Sequence, residues 1–562
     1  MDPFSDVWVS SFPTALVAET WSESGHEIHT MRCDGVLGSF CISMSAKGLS
    51  SLSPRSDLDE CCSSCRKRRN ILQKNFTFVE HVIEDFLSSD VIEKVESIIE
   101  SISRNNWKDF NLESLPVGRI AAYELILERK LASIDRVILY WDDYQQRLRS
   151  TLLSYFAAKN LIKAQQIEAV VAYNGLYSVN RVVLLYANSI GIQAWAIAAG
   201  SHQEDKFSKI SLYRFDSLPV HAMKSKEWEK ARHIPLAAEQ VASVKRHFLQ
   251  LQKAKSNFVY STPKRGVHPD ELCAKLNIPK NKKIILVTMS SPDEFIAIEA
   301  INFLAPKKDD VFKSVNDWIT FLIQFMESRN DCHLIIRVHP RQFPNKREKI
   351  KSENAAILEN ILSKTFPNVS INWPTDQISL YDLATITDLV LNRTSSAGIE
   401  LSALGVPTLL CDSENMLSYD PTINVNAKSK LEYEVEIDRL LTSGRSVEHA
   451  LGAFRFLSFM FSQVNIDISE GFSYPSSGYL SRNENFLSKF YNKVLIRAQH
   501  QFQFIERSSI RAKKKLSKGP LLSSVFDMSG DVLIGDFTEQ RLTEDQEKLE
   551  IQKAIIEITD YA

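Results

Sequence analysis

Residues 388–410 read DLVLNRTSSAGIELSALGVPTLL. Residues 388–391 read as a short strand, apolar over Leu389-Val390-Leu391, which ends on the polar turn Asn392-Arg393-Thr394-Ser395-Ser396. Residues 397–404 carry apolar side chains at helical spacing, and Gly405 stops them as a glycine beyond a helix end does. Residues 406–410, Val-Pro-Thr-Leu-Leu, predict the next strand. Strand, polar turn, helix and strand make one βαβ unit, so the expected sheet is parallel with helices on both faces.

The alternation extends upstream. Residues 283–288 predict a strand running into Met289-Ser290-Ser291-Pro292-Asp293-Glu294. Residues 311–327 predict an amphipathic helix, and 333–338 a strand ending at His339-Pro340-Arg341. Residues 379–387 predict a helix. Residues 266–500 therefore read as one doubly wound domain. Residues 1–265 show the pattern less regularly. Strands are expected at 7–9, 26–31, 134–140, 169–173 and 193–198, and helices at 14–24, 76–129, 143–161 and 181–190. The polar, cysteine-bearing stretch 34–69 reads as an irregular insertion within a Cys-rich region at 33–69, and the charged segment 204–265 as a helical boundary. Residues 501–562 form a tail, with a basic run (Arg511, Lys513, Lys514, Lys515) near Phe502 and Phe504 and an acidic helix from Thr543. The fold class expected is α/β: two Rossmann-like domains facing a cleft, followed by a helical tail.

Composition bounds the function. A chain of 562 residues is long enough for two or three domains, and 44% hydrophobic content allows a sizeable core. Eighteen Gly and 19 Pro exclude collagen-like and low-complexity classes. Lys plus Arg at 67 against Asp plus Glu at 69 leaves a net charge of -2, which gives no global attraction to nucleic acid. Met1-Asp2-Pro3 lacks the basic start of a signal peptide, and no stretch reaches the ~18 apolar residues that span a bilayer. The expectation is a cytoplasmic protein. The basic-aromatic stretch 502–515 reads either as a peripheral contact with the inner face of the membrane or as a solvated helix face.

In open parallel sheets, ligands sit beyond the carboxyl ends of the strands. Three such ends carry hydroxyls and cations: Ser290-Ser291, Arg337 to Arg341, and Thr394-Ser395-Ser396. These groups suit phosphate oxygens, and the helix from Ala397 adds amide N–H groups and a positive dipole end. Ser395 or Ser396 also reads as a helix N-cap, but that does not explain three polar strand ends on one edge. Pro340 confines His339 to extended backbone, which pins the imidazole between Arg337 and Arg341 as a phosphate contact. Glu400 reads as a first-turn carboxylate complementing the dipole or as an acceptor for a ribose or sugar hydroxyl.

The strings RVHPR at 337–341 and NWPTDQISLYDLATITDLVLNRTSSAGIELSALGVPTL at 372–409 resemble bacterial capsule polysaccharide biosynthesis glycosyltransferases of two-domain GT-B architecture. SSPDEF at 290–295 and YNGLYSVNR at 173–181 are similar to that family's strand ends, and the likeness covers roughly residues 5–425. It implies that Ser290, Ser291, Arg337, His339, Ser395 and Ser396, with Arg341 and Thr394 beside them, hold the phosphate of a CMP- or UDP-linked sugar, and that Glu400 holds a donor hydroxyl. The His-Pro and Ser-Ser pairs also resemble bacterial sialyltransferases and Kdo transferases. Their acidic pair followed by glycine has no counterpart, because Asp142-Asp143 is followed by Tyr144. Such transfer needs no catalytic cofactor. Cations and amides stabilise the departing phosphate, and a base from the first half deprotonates the acceptor, a growing polysaccharide or glycolipid. The candidate bases are Asp142, Asp143, His202 and Glu19, with Asn174 and Arg181 as acceptor or sugar contacts. Two other classes fit: a nucleotide-sugar 2-epimerase or polyol-phosphate transferase of the same architecture, and a degenerate scaffold.

Five of eight cysteines crowd the front. Cys33 and Cys41 with the C-x-x-C pair Cys62 and Cys65 could make a tetrahedral structural zinc site, Cys61 being spare. An iron–sulfur cluster and free thiols are the alternatives.

Overall fold

The helix Trp8–Glu23 opens the described chain, where the sequence pointed to a strand at 7–9. Three adjacent apolar residues suggest a strand locally. However, Val9, Phe12, Leu16, Val17 and Trp21 recur at helical spacing and bury together in one core, and this longer period wins. The computed structural model describes residues 4–254, 264–303, 311–345, 349–411, 419–472 and 516–560. The basic-aromatic stretch at 502–515 lies outside them.

The first half contains two sheets. Strand β1 (His29–Arg32) pairs in parallel with β2 (Val79–Val82). Strand β3 (Ala169–Tyr173) runs parallel to β4 (Gln193–Ala199), and β5 (Lys209–Arg214) lies antiparallel on the other edge of β4. The helix Trp141–Gln165 leads into β3, and the helix Ser178–Ser189 crosses from β3 to β4. Three further expectations are corrected. Residues Ile134–Tyr140 form a 3-10 helix with only Val137 buried, which leaves no face for a strand to pack. The insertion at 34–69 contains the helices Ile42–Ala46 and Arg55–Asn75; the longer one buries only Leu58 and Cys61, so it carries little apolar periodicity to read. The segment 204–265, expected to be helical throughout, includes β5.

The second half is one six-stranded, fully parallel sheet made of β6 (Lys283–Met289), β7 (Cys332–Arg337), β8 (Val369–Asn372), β9 (Leu389–Arg393), β10 (Thr408–Leu410) and β11 (Val425–Asn426). Their order across the sheet is β8-β7-β6-β9-β10-β11. The chain starts in the middle, builds outward to one side, then returns and builds to the other, as in dinucleotide-binding sheets. The order reverses between β6 and β9, and the connections diverge there to leave a crevice. Register keeps the ends level, with Thr288 of β6 opposite both Arg337 of β7 and Asn392 of β9. Strands β6, β7, β9 and β10 are buried on both faces, which explains their Ile, Leu and Val content, while the edge strands β8 and β11 are partly exposed.

After the helix Val447–Phe459 the chain crosses back. Strand β12 (Ile466–Asp467) joins the first half antiparallel to β5, and Val532 bridges to Tyr213. The C-terminal helix Glu544–Thr559 starts on a capping box between Thr543 and Gln546. It packs on the helices Ala238–Gln252 and Val447–Phe459. No helix among the described residues is long and apolar enough to cross a membrane.

Candidate functional site

The turn after β9 is held from both sides. Asn392 is fully buried; its Oδ1 accepts from Thr288 Oγ1 at 2.8 Å and its Nδ2 donates to the Ser395 carbonyl at 3.0 Å. Gly398 lets the next helix come close, since a Cβ there would lie 2.6 Å from Asn392 Nδ2. Thr394 sits at φ +54°, a left-handed conformation that strains a β-branched residue. Its carbonyl accepts from Ser290 Oγ at 2.6 Å, which ties the β6 end to the β9 end. Beyond this turn Ser396 is exposed, and its Oγ donates to Glu400 Oε1 at 3.0 Å. Tyr381 Oη donates to Glu400 Oε2 at 2.7 Å. Burial raises the Glu400 carboxyl above its ordinary range, and these two hydrogen bonds oppose the rise.

Arg337 ends β7 with its guanidinium folded against Asn372 Oδ1 and the Ile378 carbonyl. Burial lowers its pKa to about 10, so it stays charged at neutral pH. His339 takes the extended backbone that Pro340 demands, and its Nδ1 accepts the Arg341 N–H at 3.3 Å. A neutral ring bonded this way keeps its proton on Nε2 as a donor.

Arg337, His339, Ser395, Ser396 and Glu400 line one cavity of about 390 Å³ in the cleft between the halves. Ser201 and Gln203, just beyond β4, line it from the first half. His247 and Leu251 of the helix Ala238–Gln252 join them, and Phe456, Leu457, Met460 and Phe461 form an apolar wall. His247 was not singled out in the sequence. It lies in a charged helical segment, and only the fold turns it to the cleft. Its Nδ1 accepts the Gln203 N–H at 3.2 Å; burial and the neighbouring His202 ring keep it neutral, well below the usual histidine range.

The remaining sequence candidates sit elsewhere. Ser291 is fully buried, with its hydroxyl on Asp293. Arg341 is buried against Asp293, with contacts of 2.8 and 3.0 Å, and donates to the Leu127 carbonyl at 2.8 Å, so it ties the second half to the first. His202 lies behind His247, its Nε2 on the Ser243 carbonyl at 2.9 Å. Asp143 is buried between Arg129 and Arg147, each at 3.2 Å, while Asp142 is exposed beside it. Glu19 is half-buried on the first helix. Asn174 stands at φ +52° with its Oδ1 on the Leu176 N–H, a local turn bond. Arg181 is buried against the Phe215 and Phe303 rings and donates to the Phe215 carbonyl at 2.6 Å. None of these residues lines the cleft cavity.

Among the described residues no three His, Cys, Asp or Glu side chains form a group that could hold a metal. Cys33, Cys41, Cys62 and Cys65 form no disulfide, and burial pushes Cys33 up to about 12 and Cys41 well above the ordinary thiol range. Cys61, the thiol counted as spare, is the fully buried member of the helical trio.

No family model matches the chain, and no curated protein does. Solved structures of similar architecture include a putative UDP-N-acetylglucosamine 2-epimerase from Listeria monocytogenes, at 14% identity over 60% of this chain and 88% of that one, with a TM-score of 0.26. A second is KpsC, a β Kdo 2,4 transferase from Thermosulfurimonas dismutans, at 14% identity over 51% and 78%, with a TM-score of 0.31. A third is S. aureus MnaA with UDP, at 13% identity over 60% and 88%, with a TM-score of 0.24. At these values no residue role passes from them to this chain.

Proposed function

We propose that the protein transfers a sugar from a nucleotide-activated donor, CMP- or UDP-linked, to a saccharide acceptor of a surface polysaccharide or glycolipid. One observation carries this reading. The cavity at the strand-order switch joins a buried arginine, an Nε2–H histidine and two serines to an apolar wall. The polar set suits a phosphate ester, and the wall suits a nucleobase. In the reaction the bond from the anomeric carbon to the donor phosphate oxygen breaks, and the electron pair leaves with the phosphate. Arg337 and His339 Nε2–H face the charge that develops there, fixed before the reaction begins. The acceptor hydroxyl forms the new bond and must lose its proton. Glu400, with its raised carboxyl, is a cavity group able to take it.

The test is a thermal-shift panel of CMP, UDP, GDP and CDP. A nucleotide that binds the folded state alone raises the melting temperature by mass action. The expected result is a shift with CMP or UDP that His339→Ala abolishes. No shift with any of the four at millimolar concentration sinks the proposal. Donor turnover that depends on an acceptor separates transfer from epimerisation.

A further inference from the structure

A second cavity, larger than the first at about 560 Å³, lies at the opposite end of the first half. Strand β4 measures the separation. Gln193, its first residue, lines this cavity, and Ser201, eight positions on, lines the cleft. At ~3.3 Å per residue the strand alone, Gln193–Ala199, separates the two sites by about 20 Å.

The lining combines two kinds of surface. Phe78 and Phe526 supply aromatic faces, with the buried Trp21 behind Phe526. Trp21 is a fixed support for Phe526, because its indole N–H is spent on the Leu522 carbonyl at 2.9 Å and its ring packs on Phe526 at 5.1 Å. Gln165 and Gln166 are exposed at the mouth, and neither side chain makes a hydrogen bond to another described residue. Planar amides beside aromatic faces match a saccharide, whose C–H faces stack while adjacent hydroxyls take paired hydrogen bonds. A lipid chain would want an unbroken apolar wall. Charge argues against an anionic ligand. The lining has three carboxylates (Glu27, Glu80, Glu168) against two guanidinium groups, and Arg69 is engaged by the Cys33 carbonyl at 3.1 Å while Arg32 lies 3.6 Å from Glu80.

We infer that this cavity binds a neutral oligosaccharide, remote from the transfer site. Its purpose, though not its binding, rests on the glycosyl-transfer reading. A saccharide acceptor held here by its distal part keeps its growing end near the cleft, which raises the local acceptor concentration without any new contact at the reacting atoms.

The experiment is calorimetric titration of the full chain with maltohexaose, cellohexaose and chitohexaose, with hexagalacturonate as the acidic counterpart. At least one neutral hexasaccharide should bind, with saturating UDP or CMP present or absent. Gln165→Ala and Gln166→Ala, on the surface and harmless to the core, should each weaken it about three- to ten-fold, the value of a lost hydrogen bond. His339→Ala should leave it unchanged. The inference is overturned if none of the three neutral probes binds, if hexagalacturonate alone binds, or if His339→Ala abolishes binding while the glutamine variants do not. A protein that binds a neutral hexasaccharide as described yet shows no nucleotide shift would refute the transferase reading and keep this site.

Discussion

Replacing Glu547 by Ala should release the C-terminal helix from the wall of the donor cavity. Glu547 is fully buried and grips Arg455 with two parallel contacts, Nε to Oε1 at 3.0 Å and Nη2 to Oε2 at 2.5 Å. Its Oε1 also accepts the Leu236 N–H at 2.9 Å. Arg455 lies in the helix Val447–Phe459, which supplies Phe456 and Leu457 to the cavity. Truncation strands a largely buried guanidinium and a buried amide. Breaking a buried pair on one side costs about 3–5 kcal/mol, and the lost amide bond falls within that range. At ~1.4 kcal/mol per decade, local opening should become two to four decades more frequent. Hydrogen exchange is the assay, because a multidomain chain need not unfold in one step. Amides of the helices Glu544–Thr559 and Val447–Phe459 should lose protection together while β6, β7 and β9 keep theirs. The double change Glu547→Leu with Arg455→Met should recover most of the loss, since apolar replacement of a buried pair is often neutral. If Glu547→Ala costs under about 1 kcal/mol, water already solvates this pair and the bracing argument fails.

Gly398→Ala should lower stability by about 1–3 kcal/mol through collision with buried Asn392, and weaken nucleotide binding because the Ser395–Ser396 turn shifts with it; thermal melts with and without nucleotide read both effects. Arg341→Ala should destabilise by about 3–5 kcal/mol by orphaning Asp293, while the dissociation constant of the folded fraction for nucleotide stays unchanged; a matching loss of affinity would place Arg341 in the cavity after all. Burial, with Lys282 nearby, lowers His333 to about 4, and burial holds His247 well below the ordinary range. Both are neutral when folded and take up protons on unfolding below about 6.5, so stability should be full above that pH and decline toward about 4, with His333→Gln flattening the melting-temperature profile.

Several parts of this architecture were legible in the chain before any coordinates. β6, β7, β9 and β10 are continuous Ile, Leu and Val runs because both faces of a parallel sheet are covered, and their polar exits mark where the apolar environment ends. Arg337, His339, Ser395, Ser396 and Glu400 were readable as one set for that reason. The first half was less legible. Its helix Arg55–Asn75 is mostly solvated, and its opening helix begins on Val7-Trp8-Val9, whose local pattern is that of a strand.

Local pattern thus decides which segments enter a core and where they leave it, because burial selects apolar residues with the period of the element. It cannot say which polar exits meet. Arg341 stands two residues from His339, yet its side chain turns to Asp293 and Leu127 instead of the cavity, while His247, some ninety positions away, turns toward it. Only the strand order β8-β7-β6-β9-β10-β11 and the return of the chain at β12 bring those distant groups together, since contact across a cleft depends on how elements pack and not on the sequence beside each residue.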